Sequence, residues 1–229
     1  MCDKIYFDNQ RFNFRNIISN FLDEDLEKLH KTYKFEPRFL DMVAGKNEYE
    51  LLKNIYKKII TTKTFIALWD LFVKETIKPY FDNEKILYQK IPSLRIFPSH
   101  HSVQYVEKIT EGFNKHQDSD APFFHPKFET NFWMPLTECD HNNDLYYQNN
   151  DWFRRVDIRT NEIFVFDGET MHGNRVHNES FNTRCSLDFK ALKLKDYDTS
   201  VLSDKLVTKK GQKYKQKDWY STQYYYNEL

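Results

Sequence analysis

The sequence predicts an α+β, mainly β protein in which a β core follows a helical N-terminal region. Two observations lead to this fold class. Apolar residues recur at helical spacing through much of the N-terminal third, and short alternating runs begin at Ile86. We therefore expect a single domain over residues 1–229, with a mainly helical scaffold over 1–85, a β core over 86–195 and a C-terminal extension over 196–229.

The N-terminal region contains two predicted helical stretches. The first is expected to begin at about Asn20, because the acidic residues 23–25 would then lie in its first turn and favour the helix dipole. The second begins near Asn47, and the β-branched cluster 59–62 predicts a break within it. The apolar stripe that includes Trp69 is expected to pack on the outside of the β core as scaffold, with some contribution to an interface.

Composition argues against several function classes. The 34 basic and 34 acidic residues leave no net charge, so neither nucleic acid nor an anionic membrane is an expected partner. Three distant cysteines indicate reduced thiols, and the sequence shows neither a signal-peptide core nor an apolar stretch of membrane-spanning length. We expect a cytoplasmic enzyme with a small-molecule substrate, and a homodimer is one option for its assembly.

Three separated residues suit a metal centre. His116 and Asp118 lie two apart, so an extended strand would point an imidazole and a carboxylate to the same face. His172 follows a strongly apolar, strand-like run and would add a second imidazole. Two histidines and one carboxylate leave positions open on one side of a metal, a pattern typical of Fe(II) oxygenases. For each residue alone, a surface turn or a satisfied core histidine is the competing interpretation.

A candidate anion-binding pair follows the second histidine. Arg184 and Ser186 alternate onto one face of a predicted strand, while the apolar residues between and after them point to the other. A guanidinium fork beside a hydroxyl suits a carboxylate such as the distal one of 2-oxoglutarate. A plain strand arginine is the alternative, but the place of Arg184 shortly after His172 favours co-substrate binding.

Three further residues of the predicted core are candidates for contacts around this centre. The amide of Asn131 suits a co-substrate carboxylate or a metal-bound water, and a strand-end backbone contact is the alternative. Trp133 shares a strand face with Asn131 and is expected to wall the pocket. Arg95 would form a salt bridge on an outer face or lie inward near the co-substrate. The loop histidines His100 and His101 are expected to be solvated.

Several short motifs together resemble one family. They are YQKIPSLRIFP (88–98), HQDSD (116–120), HP (125–126), ETNFWMPLT (129–137), FDG (166–168), HGN (172–174) and TRCSLDF (183–189). The set resembles the streptomycin-biosynthesis StrG-type family, which is similar to the phytanoyl-CoA-hydroxylase-like Fe(II)/2-oxoglutarate dioxygenases. The resemblance covers roughly Leu87 to Leu192, about half the chain. It implies a double-stranded β-helix (jelly-roll, cupin-like) core with the N-terminal helices on its outside.

The resemblance also implies a ligand set and a reaction. The implied roles are Fe(II) ligation and catalysis by His116, Asp118 and His172, 2-oxoglutarate binding by Arg184, Ser186 and Asn131, and contacts with the substrate or around the centre by Arg95, His125 and Trp133. With O2 as the third reactant, the expected reaction hydroxylates an aliphatic carbon of a small polar metabolite and releases succinate and CO2. A sugar, aminocyclitol or amino-acid derivative in a biosynthetic pathway is the expected substrate. The carboxylate at Asp118 argues against halogenating variants.

Other reactions and other classes stay open at this stage. Desaturation, ring formation and epimerisation use the same metal ligands. A metal-dependent cupin-like isomerase or lyase would not need 2-oxoglutarate, although the pair Arg184 and Ser186 argues against it. A catalytically silent binding module would keep the fold alone, although the presence of all three ligand candidates argues against that.

The C-terminal extension is rich in lysine and aromatic residues. Six lysines precede Trp219, Tyr220 and the tyrosines at 224–226: Lys205, Lys209, Lys210, Lys213, Lys215 and Lys217. The expected state of this charge run is a solvated or partly disordered tail. The alternative is that the lysines attract an anionic substrate while the aromatic residues dock on the core.

Overall fold

The computed structural model describes residues 2–33, 46–99, 113–120, 124–175, 177–209 and 212–229. Its strands are β1 (Asp3–Tyr6), β2 (Ile86–Gln89), β3 (Ser93–Phe97), β4 (Phe113–His116), β5 (Thr130–Pro135), β6 (Leu145–Asn149), β7 (Trp152–Arg155), β8 (Glu162–Asp167), β9 (His172–Arg175), β10 (Arg184–Lys193), β11 (Leu206–Lys209), β12 (Gln212–Lys215) and β13 (Tyr226–Glu228). Its helices are α1 (Phe14–Leu22), α2 (Leu29–Thr32), α3 (Lys46–Thr61), α4 (Lys63–Phe72), α5 (Lys78–Tyr80) and α6 (Gln216–Trp219), with a π-helical turn at Val73–Ile77 and 3-10 turns at Leu26–Lys28, Leu194–Asp196 and Thr199–Val201. Within these ranges no helix is both long and apolar enough to cross a lipid bilayer.

A seven-stranded antiparallel sheet is the largest element of the described structure. Its strand order is β1-β8-β5-β10-β2-β13, and β3 also pairs with β10. The ten-residue β10 pairs with β5 along one edge and with β3 and then β2 along the other. Because β1 comes from the predicted scaffold and β13 from the predicted extension, all three parts of the chain supply strands to one sheet. Antiparallel sheets with several helices confirm the predicted α+β class.

The two faces of this sheet differ in chemistry, as β10 illustrates. Side chains at alternate positions enter the main apolar core: Cys185, Leu187, Phe189 and Ala191. The intervening positions are polar and lie on the opposite face: Arg184, Ser186, Asp188 and Lys190. The predicted alternation on this strand is therefore confirmed, and the polar row continues beyond the predicted pair.

The N-terminal helices cover the apolar face of the large sheet. In α4, Trp69 and Phe72 place their rings 4.9 and 6.1 Å from the ring of Phe189, and Phe14 of α1 packs edge-on against both α4 rings. Edge-to-face aromatic packing of this kind adds to the free energy gained from burying apolar area. The Trp69 stripe thus packs on the β core as expected, and its contribution to an interface stays a prediction. The predicted break near residue 62 is also confirmed, since α3 ends at Thr61 and α4 begins at Lys63.

The first helix differs from its prediction in both position and capping. The predicted start at about Asn20 is wrong, because α1 begins at Phe14. Asn13 is its N-cap, and the Asn13 side chain accepts a hydrogen bond from the Asn16 backbone N–H at 3.0 Å. The helix ends where Asp23 adopts a left-handed φ of 57°. Asp25 then caps the following 3-10 turn. The acidic residues 23–25 therefore separate two short helical segments and do not open one long helix.

A four-stranded antiparallel sheet of order β4-β9-β6-β7 faces the polar side of the large sheet. An apolar cluster joins the two sheets, with Trp133, Phe164 and Phe166 from the large sheet and Leu145 and Tyr147 from the small one. Side chains from β4 and β9 consequently meet side chains from β5 and β10 in the space between the layers. The candidate residues of the predicted centre lie there.

The C-terminal extension is only partly solvated. Lys205, Lys213, Lys215 and Lys217 are exposed, as a charge run predicts. The aromatic residues of the same segment are built into the fold: Tyr226 begins β13, which pairs with β2, and Tyr220, Tyr225 and Tyr226 are buried. The docking of the aromatic residues on the core, which was the alternative interpretation, is therefore confirmed, because burial of three large rings outweighs the entropy lost on ordering.

Candidate metal centre

Three side chains, from β4, from the turn directly after β4 and from β9, converge between the two sheets. His116 ends β4 directly opposite His172, the first residue of β9. Asp118 lies in the turn after β4, with its Oδ1 3.5 Å from His116 Nε2 and 3.9 Å from His172 Nε2. One ligand atom from each of the three residues lies within 4.8 Å of the others. The structure thus brings together all three residues predicted as metal ligands.

The local backbone explains how Asp118 reaches this position. The prediction that His116 and Asp118 share one extended strand is wrong in detail, because β4 ends at His116. Asp118 instead lies in a turn that is fixed at two points: its carbonyl accepts from the His125 N–H at 2.9 Å, and the Ser119 N–H donates to Gly168 O at 3.3 Å. The turn returns the carboxylate toward the imidazoles. The turn therefore places the Asp118 carboxylate beside the His116 imidazole, as an extended strand was expected to do.

His172 is held in the tautomer that a metal ligand needs. Its Nδ1 lies 2.8 Å from Thr170 O, and because a carbonyl only accepts, Nδ1 carries the proton. The lone pair then resides on Nε2, which faces Asp118. Burial lowers the pKa of His172, although the Asp118 carboxylate acts to raise it. The ring is neutral near pH 7, as metal ligation requires.

Asp118 is a buried carboxylate that stays ionised. Burial acts to raise its pKa, but the Lys190 ammonium, the His116 hydrogen bond and the neighbouring His172 and His125 together hold the pKa well below its ordinary value. Lys190 Nζ lies 2.9 Å from Asp118 Oδ2, and both side chains are more than nine-tenths buried. One carboxylate oxygen therefore faces an ammonium and the other faces the two imidazoles.

The donor set fits a divalent transition metal. Two imidazole nitrogens and one carboxylate oxygen on one side are the arrangement found in non-haem Fe(II) centres, and imidazole ligands also suit zinc, copper and nickel. The ionised Asp118 and the neutral His172 are both in the protonation state that binds a cation. The residues present thus pass the chemical test for holding Fe(II).

Arg184 lies on the same side of the large sheet as this centre. Its guanidinium carbon is 5.0 Å from the ring centre of Phe97 and 5.5 Å from that of Trp133. Its Nη1 donates to Asn143 O at 2.9 Å and to Asn174 Oδ1 at 2.7 Å. Asn174 lies two residues after His172 on β9, so Arg184 contacts this strand two residues away from the candidate ligand His172. Ring stacking and two neutral acceptors fix the orientation of the guanidinium.

Asn131, Trp133 and Ser186 lie on the same face of the large sheet as Arg184 and Lys190, as the predicted strand alternation requires. Trp133 Nε1 donates to Ser186 Oγ at 3.0 Å, so the indole also links the two candidate anion-binding residues. Asn131 is 1% exposed and sits directly opposite Lys190 on the neighbouring strand. Its Nδ2 makes a long 3.5 Å contact with Asp167 O. The metal-site role predicted for Asn131 stays a prediction.

The other two sequence-predicted residues have identifiable partners. Arg95 Nε forms a 2.6 Å ion pair with Asp188 Oδ2, and half of the Arg95 side chain is exposed. The alternative interpretation of Arg95 was a salt bridge on an outer face. The salt bridge is present, but it lies on the face of the large sheet that carries Arg184 and Lys190. His125 Nδ1 lies 2.8 Å from Glu129 Oε2, and the His125 backbone holds Asp118. His100 and His101 lie outside the described residues.

Sequence reasoning missed three residues that support the centre. Lys190 pairs with Asp118, while Glu129 bridges His125 and Tyr226 through its two carboxylate oxygens. The signal for Lys190 was the alternation of β10, which places it on the same face as Arg184 six residues earlier. No local signal marks the pairing of Glu129 with Tyr226, because 97 positions separate the two residues.

A second buried carboxylate lies close to Arg184. Asp144 is 2% exposed, and its Oδ2 is 3.3 Å from Arg155 Nε. Burial raises the pKa of Asp144 to about 7, against the lowering effect of Arg155 and Arg184. The preceding residue, Asn143, supplies the carbonyl that accepts from Arg184. The environment of the guanidinium therefore includes an acid whose charge changes near neutral pH.

Comparison with known proteins places these features in context. No protein-family model matches the chain. The streptomycin biosynthesis protein StrG of Streptomyces griseus is 30% identical over 116 residues, which covers 50% of this chain and 51% of StrG. The chain thus matches about half the length of this curated relative.

Comparison with solved structures gives matches that cover most of the chain. SnoK, a non-haem α-ketoglutarate-dependent carbocyclase from nogalamycin biosynthesis, covers 84% of this chain and 79% of its own at 11% identity and a TM-score of 0.50. SnoN, an α-ketoglutarate-dependent epimerase of the same pathway, covers 84% and 77% at 11% identity and a TM-score of 0.47. The likeness to SnoK shows a shared fold. The predicted resemblance to the StrG-type proteins is confirmed: this chain is related to StrG over half its length.

Proposed function

We propose that this protein is an Fe(II)- and 2-oxoglutarate-dependent oxygenase that hydroxylates an aliphatic carbon of a small polar metabolite. The observation that carries the proposal is the convergence of His116, Asp118 and His172 between two sheets, with Arg184 on the same side. The proposal includes a double-stranded β-helix for the β core, which the two facing antiparallel sheets support. Three free cysteines suit the reducing cytoplasm, where we place the reaction.

The protein residues divide the work between holding the metal and holding the co-substrate. His116, Asp118 and His172 would bind Fe(II), and Arg184 would bind the distal carboxylate of 2-oxoglutarate through charge-assisted hydrogen bonds. Bound iron, with O2 and 2-oxoglutarate, supplies the oxidising power that replaces an aliphatic C–H by C–OH as 2-oxoglutarate becomes succinate and CO2. The apolar walls around Arg184 exclude water from the charged contact and so strengthen it.

The polar face of the large sheet supports a substrate that carries hydroxyl or amino groups. Asn131 Oδ1 and Asp188 Oδ1 are buried acceptors without a hydrogen-bond partner among the described residues. They lie on neighbouring strands as diagonal neighbours, with backbone positions about 7–8 Å apart. Buried acceptors at this spacing favour a ligand that donates two hydrogen bonds. A polar metabolite such as a sugar, aminocyclitol or amino-acid derivative meets that requirement.

An anaerobic absorption titration tests the proposal. The purified apo-protein is titrated with Fe(II) and then with 2-oxoglutarate, beside His172→Ala and the matched control His141→Ala, which removes an exposed histidine. We expect a visible charge-transfer band that needs both additions and that survives in His141→Ala but not in His172→Ala. Tight Fe(II) binding without the band would favour a cupin-like isomerase or lyase. Absence of metal binding would favour a silent binding module.

The same titration tests the role of Arg184. Arg184→Gln should bind Fe(II) normally but need at least tenfold more 2-oxoglutarate for half-maximal band intensity, because it loses the charge that pairs with the distal carboxylate. Arg154→Gln, a change at an exposed position of β7, serves as the control. An unchanged requirement for 2-oxoglutarate in Arg184→Gln would remove Arg184 from the co-substrate site.

A further inference from the structure

Lys190 occupies a position at the centre that the proposed reaction does not yet use. It projects from β10 on the same face as Arg184 and is 6% exposed. Its Nζ contacts Asp118 Oδ2 at 2.9 Å, the distance of a charge-assisted hydrogen bond. Asp118 Oδ1 is the oxygen that lies near both imidazoles. The two oxygens of one carboxylate thus have different partners.

This division matters because a carboxylate binds a metal through one oxygen or through both. Two-oxygen ligation would consume one more metal position and leave fewer for other ligands. An ammonium that holds one oxygen in a buried space opposes the rotation needed for two-oxygen ligation. Moving Lys190 away would leave its charge buried and unpaired, which is costly. The contact with Lys190 therefore restricts how Asp118 can approach a metal.

We propose that Lys190 is a positioning residue that restricts Asp118 to ligation through Oδ1 and so keeps one more metal position open for the chelating co-substrate. The inference rests on the proposed Fe(II) and 2-oxoglutarate function and adds the residue that protects its coordination geometry. Arg184 and Lys190 lie six residues apart on one strand. The strand β10 would then bind the co-substrate through Arg184 and hold the carboxylate ligand Asp118 through Lys190.

The same strand supplies a matched control. Lys193 is three residues further along β10, but its ammonium pairs with Asp82 at 3.2 Å and with Glu84 at 2.6 Å, away from the centre. Substitution of Lys193 by methionine removes an ion-paired lysine from β10 without touching Asp118. Substitution of Lys190 by methionine removes the ammonium and keeps most of the side-chain length.

The experiment measures metal binding and coordination separately from activity. Apo forms of the wild type, Lys190→Met and Lys193→Met are titrated with Co(II), whose visible spectrum reports coordination, and with Fe(II) followed by 2-oxoglutarate under anaerobic conditions. We expect Lys190→Met to keep Co(II) affinity within about tenfold of the wild type, with an altered Co(II) spectrum and at least a tenfold weaker response to 2-oxoglutarate. Lys193→Met should match the wild type in every measurement.

Two outcomes would overturn the inference. One is a Lys190→Met protein whose Co(II) spectrum and 2-oxoglutarate response equal those of the wild type. The other is a crystal structure of the Co(II)-loaded wild type in which Asp118 binds through both oxygens; this measurement decides the matter even where Lys190→Met does not fold. Absence of the charge-transfer band in the wild type would instead refute the proposed co-substrate, while the crystal structure still decides how Asp118 is held.

Discussion

Asp144 is a buried acid whose ionisation the fold opposes, and this has a measurable effect on stability. Its pKa in the folded protein is raised to about 7, against an ordinary value of about 3.9. Between these two pH values the folded state keeps a proton that the unfolded state has lost. The free energy of unfolding therefore falls as pH rises from about 4 to about 7, and the loss levels off above the folded pKa.

We predict that Asp144→Asn removes this pH dependence. The free energy of unfolding of the wild type, relative to that of Asp144→Asn, should fall by about 2–3 kcal/mol between pH 5 and pH 8. Urea denaturation at both pH values measures the difference. Asp151→Asn, a change in an exposed turn, should show no such trend. A constant difference between the wild type and Asp144→Asn would contradict the prediction.

At the scale of residues, prediction from sequence was possible where a pattern is short. His116 and Asp118 are two positions apart, and Arg184 follows His172 closely, so these residues were accessible to reasoning about strand faces and ligand types. Lys190 was not accessible to such reasoning, although it lies on the same face of β10 as Arg184. Its partner is 72 positions away, and only the packing of β10 against the turn after β4 shows that the two meet.

At the scale of elements, the contact between β13 and the loop before β5 is testable. Glu129 has a fully buried side chain whose oxygens face His125 and the Tyr226 hydroxyl. We predict that Tyr226→Phe lowers the free energy of unfolding by about 1–3 kcal/mol, because one carboxylate oxygen loses its donor in a buried site. Chemical denaturation measures the change. Tyr224→Phe, at a half-exposed tyrosine two residues earlier, should leave stability within about 0.5 kcal/mol of the wild type.

Element boundaries were the least predictable feature of the N-terminal region. The first helix was expected at the acidic residues 23–25, yet these residues end one helical segment and cap the next. Acidic side chains serve both as first-turn residues and as caps, so composition alone does not distinguish the two arrangements. The break between α3 and α4 was predictable because a β-branched cluster disfavours a continuous helix there.

At the scale of the whole molecule, metal binding should couple to folding. The candidate ligands come from two strands and a turn that meet only in the folded state, so a metal that binds them would stabilise the folded protein. We predict that Co(II) at 100 times its Kd raises the free energy of unfolding by about 2.7 kcal/mol in the wild type. Denaturant titrations with and without Co(II) measure the effect. The same increase in His172→Ala would show that the metal binds elsewhere.

The layered architecture was predictable in outline because periodicity changes where the β core begins. The helical spacing before Ile86 and the alternation after it correspond to the helices and the main strands of the described chain. The strand contributions of the two flanking regions were less accessible. β1 pairs with β8 and β13 pairs with β2 through backbone hydrogen bonds, which leave little trace in side-chain pattern.

The long sequence separation between Asp118 and Tyr226 has a consequence for synthesis on the ribosome. The contacts of Tyr226 with Glu129 and of β13 with β2 form only after Tyr226 has left the exit tunnel. At typical elongation rates, 108 residues take about 5–20 s to add. Within that interval His172, the last of the three candidate ligands, is added 54 residues before Tyr226. From then on all three candidate ligands exist, but the turn that carries Asp118 still lacks its final support. A metal that needs all three candidate ligands would therefore be held by the complete set of contacts only after Tyr226 has paired with Glu129.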